Sequence, residues 1–109
     1  MERELTENLV LTEATYYILL ALYEPQHGYG IMQRVESLSG GRVLLGAGTL
    51  YGALTAMCEK KWIEQLPMED GSRKKNYSIT DLGLRILRNE VERLRELLTN
   101  GEAILGGAK

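Results

Sequence analysis

Arg73-Lys74-Lys75 is the longest unbroken cationic run in the 109-residue sequence. It follows a stretch centred on Asp70-Gly71, a turn signal, so it should open the returning arm of a hairpin. Such a run can neutralise phosphates and release their counterions. The plain alternative is a solvated turn, and Glu69 and Asp70 weaken the local field. Thr49 and Tyr51 flank a helix start further upstream. Their hydroxyls, with the free N–H groups of that terminus, could grip a phosphate. Thr49 could equally cap and Tyr51 pack against the hairpin, and the two roles are compatible. Lys60 and Lys61 read rather as partners of a helix C-terminal dipole.

No constellation suits covalent, acid–base or metal chemistry. His27 is the single histidine, with neither a second His nor a nearby Cys, so it reads as a structural residue where a helix begins. Cys58 is the single cysteine and excludes an intrachain disulfide. It follows Met57 near an apolar face, where a structural thiol is favoured over a redox sensor. No carboxylate cluster converges. The sequence therefore reads as a non-enzyme with no cofactor and no metal. Tyr16, Tyr17, Tyr23 and Trp62 read as core rather than as a ligand pocket.

The bulk numbers fit one small domain. Hydrophobic residues are 44% and charged residues 26%, with a net charge of −2, enough for a core and not the composition of a wholly disordered chain. A chain this small buries a modest share of its surface, which favours oligomerisation. The pI of about 5.5 argues mildly against a nucleic-acid partner, although phosphates feel the local field. The opening MERELTENLV lacks the basic and apolar regions of a signal peptide, and no apolar run approaches the ~20 residues that span a bilayer. A cytoplasmic protein without membrane contact is expected.

The elements that position these side chains follow from periodicity. Residues 1–10 read as a partly ordered arm. Leu11, Ala14, Tyr17/Ile18 and Ala21/Leu22 set a first helix over 12–23, with Thr12 as N-cap and Pro25 closing it. Ile31, Val35 and Leu38 set a second over 29–39, ended by Gly40-Gly41. Arg42 to Leu45 is too short for a helix and is expected as a strand pairing with the hairpin. A third helix follows Gly46-Ala47-Gly48, with Leu50, Leu54 and Met57 inward and Gly52, Ala53, Thr55 and Ala56 outward. Residues 62–66 and 74–79 form the hairpin arms. Thr80 caps a last helix over 81–98, with Asp81 in its first turn. There Leu84, Leu87, Val91, Leu94 and Leu98 step by 3, 4, 3 and 4, a heptad seam suited to a second copy. Residues 99–109 read as a flexible tail.

Helix, helix, helix, hairpin is the order of a winged helix-turn-helix, an α+β fold that is mostly α. The third helix enters the major groove and the hairpin, or wing, reaches adjacent backbone. Residues 1–80 would form that domain and 81–98 a dimerisation helix. His27-Gly28-Tyr29 with Ile31, Gly48-Thr49-Leu50-Tyr51 with Leu54, and Tyr77-Ser78-Ile79-Thr80 with Gly83 together resemble the PadR family of bacterial winged-helix regulators, over residues 9–98. The resemblance implies a homodimer, usually a repressor, whose short members keep one C-terminal helix. Some short members bind planar aromatic ligands at the dimer interface, stacked on a tryptophan of that helix. Here no aromatic residue follows Tyr77. Family members commonly carry Arg or Lys where this third helix has small residues, which cannot make the bidentate arginine–guanine contact.

The expectation is a homodimeric regulator of double-stranded DNA, with room for a small-molecule inducer. Its DNA-contacting residues would be Thr49, Tyr51, Gly52, Thr55, Arg73, Lys74 and Lys75. The competing reading is a winged-helix protein–protein interaction module without specific DNA binding.

Overall fold

The computed structural model describes residues 9–68 and 74–106. Among them the elements are α1 (Glu13–Ala21), β1 (Gln26–His27), α2 (Gly28–Leu38), α3 (Ala47–Glu59), β2 (Ile63–Gln65), β3 (Asn76–Ile79) and α4 (Asp81–Ile104). This is a mostly helical α+β winged helix with an appended last helix. The turn at Asp70-Gly71, Arg73, the first eight residues of the expected arm and the last three of the expected tail lie outside the described residues.

Local chemistry sets the element ends. The Thr12 hydroxyl accepts from the Thr15 N–H at 3.1 Å and starts α1. Arg34 donates to the Ala21 carbonyl at 3.0 Å and occupies an acceptor at the other end of that helix. Gly40 and Gly41 follow α2 with φ of +64° and +83°, the left-handed region that glycine enters without strain. Lys61 takes φ +67° just past α3 and turns the chain into β2. At the start of α4 the Thr80 hydroxyl accepts from Gly83 N–H at 3.0 Å and donates toward the carbonyls of Lys61 and Trp62.

The sheet has the order β1-β3-β2. β2 and β3 are antiparallel, with Ile63 opposite Ile79 and Gln65 opposite Tyr77. β1 lies on the other side of β3, Gln26 opposite Tyr77 and His27 opposite Asn76. The third strand is therefore not Arg42–Leu45, as the sequence suggested. That segment is tied to the helices instead. The Ser39 hydroxyl accepts from Val43 N–H at 3.0 Å, and the Arg42 guanidinium pairs with the Glu13 carboxylate. The strand that joins the wing is only two residues long, too short to leave a periodic signal.

One core joins α1 (Ile18, Leu19), α2 (Ile31, Val35), α3 (Leu50, Leu54, Met57), the sheet (Ile63, Tyr77) and α4 (Ile86, Leu87). Leu38, expected inward with Ile31 and Val35, is exposed on the final residue of α2. α4 packs against α1, and its buried residues, Gly83, Ile86, Leu87 and Glu90, all lie in its first half. Leu87 is thus only 4% exposed, a core residue of its own chain and unavailable to a second copy. Leu84 and Val91 are half-buried.

Residues 99–104 are helical rather than tail. Gly101 costs about 1 kcal/mol relative to alanine. That penalty is local, and an established helix propagates through it because each added residue brings a hydrogen bond. From Leu94 to Gly106 every residue except Gly101 is exposed. Among the described residues no helix is long and apolar enough to cross a membrane.

Candidate nucleic-acid interface

α3 turns Leu50, Leu54 and Met57 inward, so helical geometry leaves Thr49, Gly52, Thr55 and Ala56 outward. All four are exposed. Nothing lies within 4 Å of a Cβ placed on Gly48 or Gly52, so neither glycine is required by packing within the chain. The face carries no basic side chain, and Glu59 ends it.

Tyr51 leans from α3 toward α2. A Cβ placed on Gly28 would lie 2.1 Å from the Tyr51 hydroxyl oxygen. Gly28 is therefore a close-approach glycine, and it fixes where that hydroxyl can sit. Beside them the backbone runs through β1 into α2, with His27 as N-cap. Its Nδ1 accepts from Gly30 N–H at 3.2 Å, so the neutral ring carries its proton on Nε2. His27 has the structural role its isolation in the sequence suggested.

β1 pairs with the start of β3, which brings Lys74 and Lys75 to the same place. His27, Gly28, Tyr29, Tyr51, Lys74 and Lys75 line a hollow of about 400 Å³. Tyr51, Lys74 and Lys75, from two distant stretches of sequence, thus converge. Thr49, Gly52 and Thr55 lie on the exposed face of α3, and Arg73 is outside the described residues. The sequence reading did not assign Tyr29 or His27 to this surface. A signal existed for Tyr29: it stands two positions from the inward Ile31, which turns it outward on a helix.

The other candidate groups have local explanations. The Lys60 ammonium lies 4.7 Å from the centre of the Trp62 ring, a cation–π contact. Cys58 is half-buried, and burial pushes its thiol pKa up, away from the reactive thiolate. Burial, then the nearby Cys58 and Tyr51, raise the Tyr77 phenol. Tyr16 and Tyr17 meet edge to face at 5.8 Å. No group of three or more His, Cys, Asp or Glu among the described residues could hold a metal.

A three-helix domain with a hairpin beside its third helix, and with cations and hydroxyls gathered at their junction, defines a winged-helix protein. Residues 17–89 match the Transcriptional regulator PadR-like family, and the chain belongs to that family. It is 32% identical to the PadR family transcriptional regulator from Eggerthella lenta DSM 2243, with a TM-score of 0.65 over 84% of this chain and 79% of that one. Its fold is similar to Bacillus subtilis PadR, solved in complex with operator DNA, at TM-score 0.61 and 24% identity over 71% of this chain and 45% of that one. It is also 35% identical over 86 residues to an uncharacterized 37.1 kDa protein in transposon TN4556 of Streptomyces fradiae. That match covers 78% of this chain, which spans about a quarter (24%) of the curated relative's length.

Proposed function

We propose that this regulator is a homodimeric, cytoplasmic repressor that binds a pseudo-palindromic operator through α3 and the wing and dimerises through α4. The observation that carries the DNA-binding reading is the convergence of Tyr51, Lys74 and Lys75 beside the open face of α3. Thr49, Gly52, Thr55 and Arg73 complete the proposed contact surface. Small side chains on α3 permit close approach to the bases, while the wing and the helix start grip the backbone. Specificity then rests on few base contacts, on DNA shape and on the spacing of the two half-sites.

The dimerisation residues proposed from the sequence reduce to the outer part of α4, Leu94 and Leu98, with Leu84 and Val91 at its inner margin. A small-molecule inducer would act by changing the angle between the two recognition helices. A second hollow, of about 330 Å³ between α1 and α4, is lined by Tyr16, Tyr17, Arg93 and Leu94 among others and offers a place for one.

The test is a mobility-shift titration of the region upstream of the protein's own gene at several salt concentrations. Binding should be modest and fall steeply with salt. Replacing Lys74 and Lys75 together by Glu should abolish it. Absence of wild-type binding at low salt would sink the reading for that site. Retained binding by the double variant would remove the wing from it. An adaptor that binds protein through α3, a face without basic residues, would keep its partner after the same change.

A further inference from the structure

We infer that the ion pair between Arg42 and Glu13 is a positioning contact for DNA recognition. It fastens the turn that leads into α3 to the first turn of α1, and so sets how α3 meets the groove. The inference rests on the DNA-binding reading of α3 and assigns two residues that reading does not contain.

The need for such a contact comes from α3 itself. α1, α2 and α4 each begin on a side-chain cap, since Thr12, His27 and Thr80 accept from the N–H three residues on. α3 begins on Gly46, without a side-chain cap. Its start is therefore placed by the residues ahead of it. Gly40 and Gly41, both at positive φ, would meet nothing within 4 Å if given a Cβ, so the turn leaves α2 through open space. Val43 and Leu45 pack against the core and seat its far end. Arg42, between these two parts, reaches α1. Its guanidinium donates to both oxygens of Glu13, one of them at 3.2 Å, across 29 positions of sequence. A two-pronged contact of this kind fixes direction as well as distance.

Both partners lie at the surface, with side chains 65% and 44% exposed. Exposed pairs add little to stability and are worth up to a factor of about five in an equilibrium. The pair is thus too weak to hold the fold and strong enough to bias the setting of one helix. Without it α3 would occupy its DNA-competent setting for a smaller fraction of the time, and affinity falls by that fraction. A symmetric dimer on two half-sites incurs the loss twice. Backbone contacts, which supply binding to arbitrary sequence, tolerate the change.

The test compares two labelled duplexes of equal length by fluorescence anisotropy at several KCl concentrations. One is a duplex that wild-type protein enriches from a random pool, the other is of arbitrary sequence. Arg42→Gln and Glu13→Gln should each weaken the enriched duplex by about five-fold per half-site, while the arbitrary duplex changes by less than about two-fold. The salt slope should stay as in wild type, because no phosphate contact is lost. Exchanging the charges, Glu13→Arg with Arg42→Glu, should return most of the lost affinity, although a cation in the first turn of α1 opposes that helix's dipole. Thermal melts of all variants should stay within a few degrees of wild type. Loss of both duplexes alike by Arg42→Gln, with the slope flattened by about 0.9 per site, overturns the inference and marks Arg42 as a phosphate ligand. So does weakening by Glu13→Gln alone, which assigns the effect to the hollow that Glu13 also lines. Single variants that bind as wild type, or an exchange that restores nothing, reduce the pair to a surface contact. Wild-type protein that binds no duplex refutes the DNA-binding reading, and the inference with it, before any variant is made. Wild-type binding that enriches no sequence leaves that reading intact and removes the specificity the pair would serve.

Discussion

Glu90 is the buried carboxylate among the described residues, 3% exposed, and its partners explain how it is tolerated. Arg93 donates to both of its oxygens, at 2.8 and 2.6 Å, and the Leu11 backbone adds a further hydrogen bond. The Arg93 hydrogen bonds, against an opposing effect of burial, hold its pKa below the ordinary value of 4.5. A carboxyl whose folded-state pKa is depressed stabilises fully above its unfolded pKa and loses that contribution as pH falls through the folded one. Replacing Glu90 by Gln should therefore cost about 1–3 kcal/mol at pH 7, because a charge-assisted pair is broken while Arg93 keeps partial access to water. The gap between variant and wild type should narrow as pH falls below the ordinary carboxyl value of 4.5 and through the depressed folded one. Urea denaturation at pH 7 and pH 3.5 measures both, and an equal gap at the two pH values would refute the assignment. At this scale the sequence was legible where a residue acts locally. Thr12, Thr80 and the glycines after α2 follow from capping rules alone. Glu90 was not legible, because its backbone partner Leu11 lies 79 positions away in the chain.

Among the elements, α3 carries the sharpest conflict between stability and use. Gly52 sits inside a 13-residue helix, and a Cβ there would meet nothing within 4 Å. Gly52→Ala should accordingly stabilise the fold by about 0.5–1 kcal/mol through helix propensity and the unfolded chain. The same methyl group would stand between the helix and a groove floor, so the proposed contact predicts several-fold weaker DNA binding. Thermal melts and anisotropy on one preparation check the pair, and stabilisation with unchanged binding would remove Gly52 from the contact surface. Gly83 behaves oppositely. A Cβ there would lie 2.0 Å from the Trp62 carbonyl oxygen, a backbone atom that cannot move aside. Gly83→Ala should therefore destabilise by about 1–3 kcal/mol, read as a lowered urea midpoint; an unchanged midpoint would show that α4 can shift at no cost. The helices were legible because each repeats an apolar stripe several times. The three-residue β2 and four-residue β3 gained legibility from the turn residues between them. β1 has two residues and no repeat, so only the register with β3 reveals it. The candidate site was half legible for the same reason: its cations form a run, but their neighbours Tyr29 and His27 arrive through β1.

For the whole molecule, the decisive feature is the outer part of α4, which the described residues leave bare. The principal extents are 57 × 36 × 21 Å, an elongated outline. The seam stated in the sequence ended at Leu98, but the helix continues and so does the pattern. Leu94, Leu98, Gly101 and Leu105 step by 4, 3 and 4, and Leu97 and Ile104 flank them one heptad apart. Leu94 is 37% exposed, Leu98 61% and Leu105 84%, so the stripe grows barer outward. Gly101, on the seam itself, would let two helices approach closely. A single chain gains little by holding this stripe in water, whereas a second copy would bury it by symmetry. Leu87 serves the core, so the proposed seam shifts outward along α4 by about two turns, onto the exposed Leu94, Leu98 and Leu105. Each leucine buried at such an interface contributes about 1.5–3 kcal/mol, and a two-fold axis counts every substitution twice. Leu98→Ala should then raise the dimer Kd by roughly 10²–10⁴-fold. Leu87→Ala should instead lower protomer stability by about 2–5 kcal/mol. Sedimentation velocity across a concentration series separates the two effects when paired with circular dichroism, which should stay unchanged in Leu98→Ala. A monomeric wild type at tens of micromolar, or a Leu98→Ala variant that sediments with it as a dimer, would place the interface elsewhere. Because a dimer engages two half-sites at once, the same substitution should also cost far more affinity for a full operator than for an isolated half-site.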